Sequence, residues 1–182
     1  MKGVTLVIPC YNEENAVSDT VEEVNKVFKN VPSDVYQVIF VNDGSEDKTG
    51  EILDNLAKTN KITVLHHGKN RGNVAALKTG ISASNRDHIA ITDADGTYPN
   101  ERIYELYQKC YEEDYDMVIG ARTGDNVTYS KIRKIPKFFL RRWINQIAGQ
   151  NIPDFNSGLR VFKREKALKY LSILPNSFSF TT

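Results

Sequence analysis

Cysteine is scarce in this chain of 182 residues. Cys10 and Cys110 stand far apart, with no CxxC pair and no Cys/His cluster, so neither a disulfide-stapled secreted scaffold nor a zinc module is indicated. Two buried free thiols are expected. Long apolar runs are missing as well. The one near the start, VTLVIP, stops at Pro9 and turns charged, too short for a signal peptide or a membrane span. No other segment reaches spanning length, and the chain as it stands reads as soluble. There is no GxGxxG after the first apolar run and no GxxxxGK[ST] anywhere, which disfavours hydride transfer and P-loop phosphoryl transfer. Net charge is only +1, so no global argument for a nucleic-acid partner exists.

What is present is the composition of one soluble α/β domain, 40% apolar and 26% charged. Five short β-branched runs, at 4–8, 36–41, 62–66, 88–92 and 116–120, alternate with stretches of helical period at 13–30, 45–58, 73–83 and 99–113. Ser45 is positioned to cap the second helix and Pro99 suits the first turn of the fourth. That alternation predicts a mostly parallel sheet with helices on both faces. Such sheets bind ligands beyond the carboxyl ends of their strands. Those ends carry PCYNE (9–13), NDGS (42–45), GKNRG (68–72), DAD (93–95) and GAR (120–122), all turn formers with polar groups.

The sharpest of these is IAITDADGTYP. An i, i+2 pair on extended backbone faces one way, so Asp93 and Asp95 set two like charges side by side, and a divalent cation would relieve the repulsion. One or two carboxylates completed by substrate phosphates is how Mg2+ or Mn2+ is commonly held. Tyr11 can stack on a base, while Asn12, Glu13 and Glu14 suit either a ribose or a helix N-terminus. Asp43 suits either turn chemistry or acceptance of a nucleobase N–H. His66, His67 and His88 show no ligand spacing and read as structural.

IPCYNEE, VNDGSEDKT, NRGNVAALKTGI, DADGTYP, GAR and SGLRVFKRE occur together and in order. In this the chain resembles inverting family 2 glycosyltransferases of the GT-A nucleotide-diphospho-sugar transferase fold. It is similar in particular to the polyprenyl-phosphate branch that includes dolichyl-phosphate mannosyltransferases and bactoprenol glucosyltransferases. The resemblance implies that Pro9, Tyr11 and Glu13 hold base and ribose, that Asp43 contacts the base, and that Arg71 and Gly72 lie beside the nucleotide. It implies a DxD in which Asp95 contacts Mg2+ or Mn2+ directly and Asp93 lies nearer the ribose. A position that is often Gln in the dolichyl-phosphate enzymes is Thr97 here. Arg122, Arg133, Ser157 and Arg160 become candidates for holding an acceptor phosphate or the developing charge, and Asp154 for a catalytic carboxylate or a loop acid paired with Arg160.

The second part of the chain has a different character. From Asn126 to Pro153 there is no acidic residue, while Lys131, Arg133, Lys134, Lys137, Arg141 and Arg142 are basic. With Phe138, Phe139, Leu140 and Trp143 on the same stretch, residues 131–148 suit a helix lying in a membrane interface, with a core-facing helix as the rival and Gly149 as its stop. A single catalytic domain is expected, with 1–122 binding the nucleotide and 123–182 facing acceptor and membrane. Relatives commonly continue into further helices, so a place at the cytoplasmic face of a membrane within a longer protein is expected. The activity implied is transfer of a sugar from a UDP- or GDP-sugar to a polyprenyl phosphate. Glycan extension at a hydroxyl acceptor, a nucleotidyltransferase, and a non-catalytic nucleotide- or membrane-binding module are the alternatives.

Overall fold

The computed structural model describes residues 1–121, 146, 149, 157–171 and 173. Six strands form one sheet: β1 (Val4–Cys10), β2 (Tyr36–Asn42), β3 (Thr63–His66), β4 (His88–Ile91), β5 (Met117–Ile119) and β6 (Arg160–Lys163). Their spatial order is β3-β2-β1-β4-β6-β5. The pairs β1–β2, β1–β4 and β2–β3 are parallel. β6 runs antiparallel to both of its neighbours, β4 and β5. The five expected strands are all present. The sixth, RVFK, lies where the sequence showed only a motif.

Alternation along the strands divides the core in two, because successive side chains leave a strand on opposite faces. Leu6, Ile8, Val38, Phe40, Ala90 and Val161 pack on one face against α1 (Val17–Phe28), α2 (Thr49–Ala57) and α4 (Ile103–Glu112). Val7, Ile39, Val41, Ile89, Ile91 and Phe162 pack on the other against α3 (Asn73–Ala83) and α5 (Arg164–Leu171). Both strand faces are therefore apolar, as a doubly covered sheet requires. Cys10 and Cys110 are buried free thiols, and burial pushes both up from their ordinary pKa. Pro99 precedes a 3-10 turn, Asn100–Arg102, that opens into α4. Among the described residues, no helix is long and apolar enough to cross a membrane.

Candidate active site

The carboxyl ends of β1, β2 and β4 enclose a cavity of about 360 Å3, lined by Pro9, Cys10, Tyr11, Glu13, Asp43, Asn70, Asn73, Asp93, Ala94 and Asp95. Five strand-end motifs were expected to share one face of the sheet. Four of them supply this lining.

The first wall is built by loops that tie one another down. After β1 the backbone turns at Asn12, φ 56, a left-handed conformation that Asn adopts more readily than most residues. The NEE and SEDKT segments then exchange hydrogen bonds. Asn12 N–H donates to Ser45 Oγ and Glu46 N–H to Asn12 Oδ1. Glu13 N–H donates to Thr49 Oγ1, Glu14 N–H to Asp47 Oδ2 and Lys48 N–H to Glu14 Oε2. Ser45 was expected to cap a helix starting beside it. Instead α2 begins at Thr49, and the Ser45 hydroxyl serves the loop after β1. The reason is local: Asp47 accepts from both the N–H and hydroxyl of Thr49, so the chain completes an Asx turn before the helix can start. Desolvation acts against the Asp47 carboxylate, but the Thr49 hydroxyl and the N–H groups of Thr49 and Glu14 hold its pKa below the ordinary value.

Asp43 closes this wall from below. Its side chain is 3% exposed. Oδ1 accepts from His67 Nδ1 at 2.6 Å and from Arg71 N–H at 3.0 Å, and Oδ2 accepts from Gly72 N–H at 2.7 Å. His67 reaches Thr79 Oγ1 on α3 through Nε2, at 2.8 Å. The conserving of space here is tight: Gly44 has φ 68, and a Cβ on it would stand 2.3 Å from the Lys69 carbonyl carbon. Only glycine fits that crossing of two loops.

The second wall is the Asp93–Tyr98 turn. Thr20 Oγ1 donates to Ala94 O at 2.8 Å, and Tyr98 Oη accepts from Gly158 N–H at 2.7 Å. A Cβ on Gly158 would come within 2.9 Å of both Asp93 Oδ2 and Tyr98 Cε2, which explains the glycine in SGLR. Asp95 is exposed, and its Oδ1 accepts from both N–H and Oγ1 of Thr97. Thr97 thus orients Asp95 instead of extending into the cavity. Glu13 faces the same space: burial first, then Asp95, Asp47 and Asp93, raise its pKa above the ordinary value. This excess of negative charge is what a divalent cation would offset. Among the described residues no three acidic, His or Cys side chains converge as a metal cage. Asp93 and Asp95 therefore fit a cation that takes its remaining oxygens from a ligand's phosphates.

Ser157 and Arg160 lie behind this wall. Ser157 Oγ donates to Gly120 O at 2.7 Å, and Arg160, 5% exposed, donates through Nε to Ser157 O at 2.8 Å. These bonds hold the SGLR segment against Gly120 and the DxD turn. Arg71 is exposed, and its backbone N–H is held by Asp43. Arg122, Arg133, Asp154 and, apart from residue 146, the 131–148 stretch lie outside the described residues. Ser45, Asp47, Thr49, His67 and Thr79 were not singled out as site residues from sequence. The DGSxDxT and NEE spacings are the signal for the first three, and only the fold brings His67 to Asp43.

Comparison with known proteins shows the family and the fold. The model of the family described as "Glycosyl transferase family 2" matches residues 5–171. The chain belongs to that family. It is 33% identical over 193 residues to an undecaprenyl-phosphate 4-deoxy-4-formamido-L-arabinose transferase of Photorhabdus laumondii, covering 100% of this chain and 58% of the relative. It is 30% identical over 176 residues to a dolichyl-phosphate beta-glucosyltransferase of Trichomonas vaginalis, covering 90% of this chain and 52% of the relative. The chain thus spans little more than half the length of these relatives. Among solved structures, a mannosyltransferase from Pyrobaculum calidifontis in complex with GDP-Man and Mn2+ superposes with a TM-score of 0.70 at 23% identity, covering 98% of this chain and 49% of that one. This family 2 domain therefore has the GT-A architecture, as expected from its sequence.

Proposed function

We propose that this family 2 domain binds a nucleoside diphosphate sugar with a divalent cation, Mg2+ or Mn2+, and transfers the sugar with inversion to a polyprenyl phosphate. The observation that carries the reading is the single cavity holding an aromatic, a buried carboxylate and the Asp93/Asp95 pair. Tyr11 stacks on the base and Asp43 accepts its N–H. Glu13 and Asp93 face the ribose, and Asp95 carries the cation beside the diphosphate. When bound, the cation neutralises charge building on the leaving nucleoside diphosphate.

A phosphate monoester acceptor has a second pKa near 6 and needs little deprotonation to attack the anomeric carbon. Its charge needs cationic partners, and Arg122 and Arg133 are the proposed ones. Ser157 and Arg160 are proposed to support that acceptor side by holding its backbone in place. The names of the Photorhabdus and Trichomonas relatives favour the polyprenyl phosphate. The acid-free 131–148 segment favours a membrane surface, at its anionic cytoplasmic face. The domain boundary near residue 122 belongs to the same proposal, dividing donor-binding from acceptor-binding residues.

Calorimetric titration with UDP and GDP, with and without Mn2+, tests the donor half on wild type and Asp95→Ala. Cation-dependent binding of either nucleotide, lost in the variant, supports it; absence of binding to wild type removes it. Asp154→Asn tests the acceptor half. Retained turnover supports a phosphate acceptor, whereas abolished turnover with intact donor binding shows a hydroxyl acceptor that needs a base.

A further inference from the structure

We infer that the domain has a second ligand site, for a phosphate monoester, at the end of the sheet opposite the cavity of Asp43 and Asp95. There β1 and β4 begin and the antiparallel β6 ends, with Val4 and Lys163 on either side of His88. A cavity of about 530 Å3 opens at this end, and Arg86, Asp87, His88, Tyr111, Arg164 and Leu168 are in its lining. It shares no lining residue with the cavity at the carboxyl ends of the strands.

Two buried side-chain nitrogens have no hydrogen-bond partner among the described residues, Arg86 Nε and His88 Nε2, and both residues line this cavity. Buried polar atoms are nearly always satisfied, so two orphans at one cavity ask for a partner from outside the chain. The His88 side chain is 6% exposed. Its Nδ1–H donates to Asp87 Oδ1 at 2.9 Å, since an ionised carboxylate only accepts, and Nε2 is the free end of the ring. Arg86 Nη1 donates to the Met1 sulfur at 3.5 Å, a weak acceptor, and Arg164 Nε to Ser84 Oγ at 2.8 Å. Among the described residues neither guanidinium is ion-paired. Two acids of the lining are engaged: Asp87 Oδ1 also accepts from Gly3 N–H, and Asp114 pairs with Lys163 at 2.7 Å. Glu165, exposed in the first turn of α5, is the acid that stands against an anion.

The ligand class follows from these groups. Two guanidiniums without carboxylates select an anion with several oxygens. Beside Nε2 that anion must answer either a bare ring nitrogen or an N–H. A phosphate monoester, with a second pKa near 6, does both, donating through P–O–H or accepting through P–O−. A sulfate only accepts. The volume is that of a small-molecule pocket, and Tyr111 and Leu168 offer the ester's organic part an apolar surface.

The test is titration of the 182-residue chain in EDTA with phenyl phosphate and phenyl sulfate, read by calorimetry and by NMR of the histidine rings. Phenyl phosphate is expected to saturate and to bind about tenfold or more tighter than phenyl sulfate. It should move the His88 ring signals and leave those of His67, at the other end of the sheet, in place. Arg86→Gln is expected to weaken it about tenfold or more, and Glu165→Gln to tighten it about twofold. Phosphatidylcholine vesicles containing phosphatidic acid carry the same monoester on a lipid. Binding to them that Arg86→Gln abolishes supports the site with a headgroup as its ligand; binding of the soluble ester alone supports it with a free metabolite. No saturable binding means that water satisfies the two nitrogens, and overturns the site. Binding that leaves the His88 signals unmoved and is unchanged in Arg86→Gln places the anion elsewhere and overturns it as well. Phenyl sulfate bound as tightly as phenyl phosphate overturns the choice of a phosphate.

Discussion

Asp43 and Asp95 stand at the ends of β2 and β4, on either side of β1, and line the same cavity. Their surroundings are opposite. Asp43 is buried and receives three N–H groups from the loops around it. Asp95 is exposed, and the hydrogen bonds described for it come from Thr97 alone. Asp43's wall is complete before any ligand arrives, which suits a base that must be matched donor for acceptor. Asp95's wall brings Asp93 and Asp95 close enough to Glu13 to raise its pKa, which suits a partner that brings its own positive charge. Preorganisation on one side and stored repulsion on the other let one cavity hold both the neutral and the charged end of a nucleotide.

The largest test of this contrast is Asp95→Ala. It should cost roughly a hundredfold or more in Mn2+-dependent nucleotide affinity while leaving the melting temperature unchanged or higher, by titration and calorimetric scanning. Equal losses in stability and affinity would erase the distinction between the walls. Gly44→Ala should show the reverse pattern. A Cβ at φ 68 against the Lys69 backbone should destabilise the fold by about 2 kcal/mol or more, read as a lowered urea midpoint.

Asp47→Ala should cost about 1–2 kcal/mol by removing the bonds that join the NEE loop to α2. Because the folded state lowers the pKa of Asp47, its contribution is present above 3.8 and is lost as pH falls through the folded value. The smallest effect is expected at Glu13. Its pKa is raised in the folded state, so its contribution is fully present below 4.5 and lost as pH rises through the folded value. Glu13→Gln should therefore raise the melting temperature slightly at pH 7 without divalent cation, and the gain should vanish at low pH. Mn2+ should shrink it too, since a bound cation relieves the same repulsion.

The parallel half of the sheet was legible because β-branched runs and helical periods alternate cleanly from Val4 to Ala83. The site was legible because strand ends in such a sheet converge, which placed Tyr11, Asp43 and Asp95 together. β6 escaped because four residues following SGL look like the start of a basic helix, and its partners lie some distance back along the chain. Ser45 was misplaced by a local rule: Ser before a helical pattern is a good cap, yet the Asp47 turn intervenes. His67 has no pattern at all. Its meaning comes from Asp43 and Thr79, residues brought to it by strand pairing and by the packing of α3.

β6 has a consequence for how the protein is made. It lies between β4 and β5, so β5 cannot complete the sheet by itself. As the chain emerges during synthesis, β3, β2, β1 and β4 can pair in order, but β4 keeps an open edge until Lys163 has left the ribosome. β6 must then slide in antiparallel against the parallel half of the sheet, a long-range step that comes late and exposes an aggregation-prone edge while it waits. The segment that completes the sheet also carries Gly158 up to Asp93 and Tyr98, so the ligand cavity acquires its second wall only when that edge is sealed.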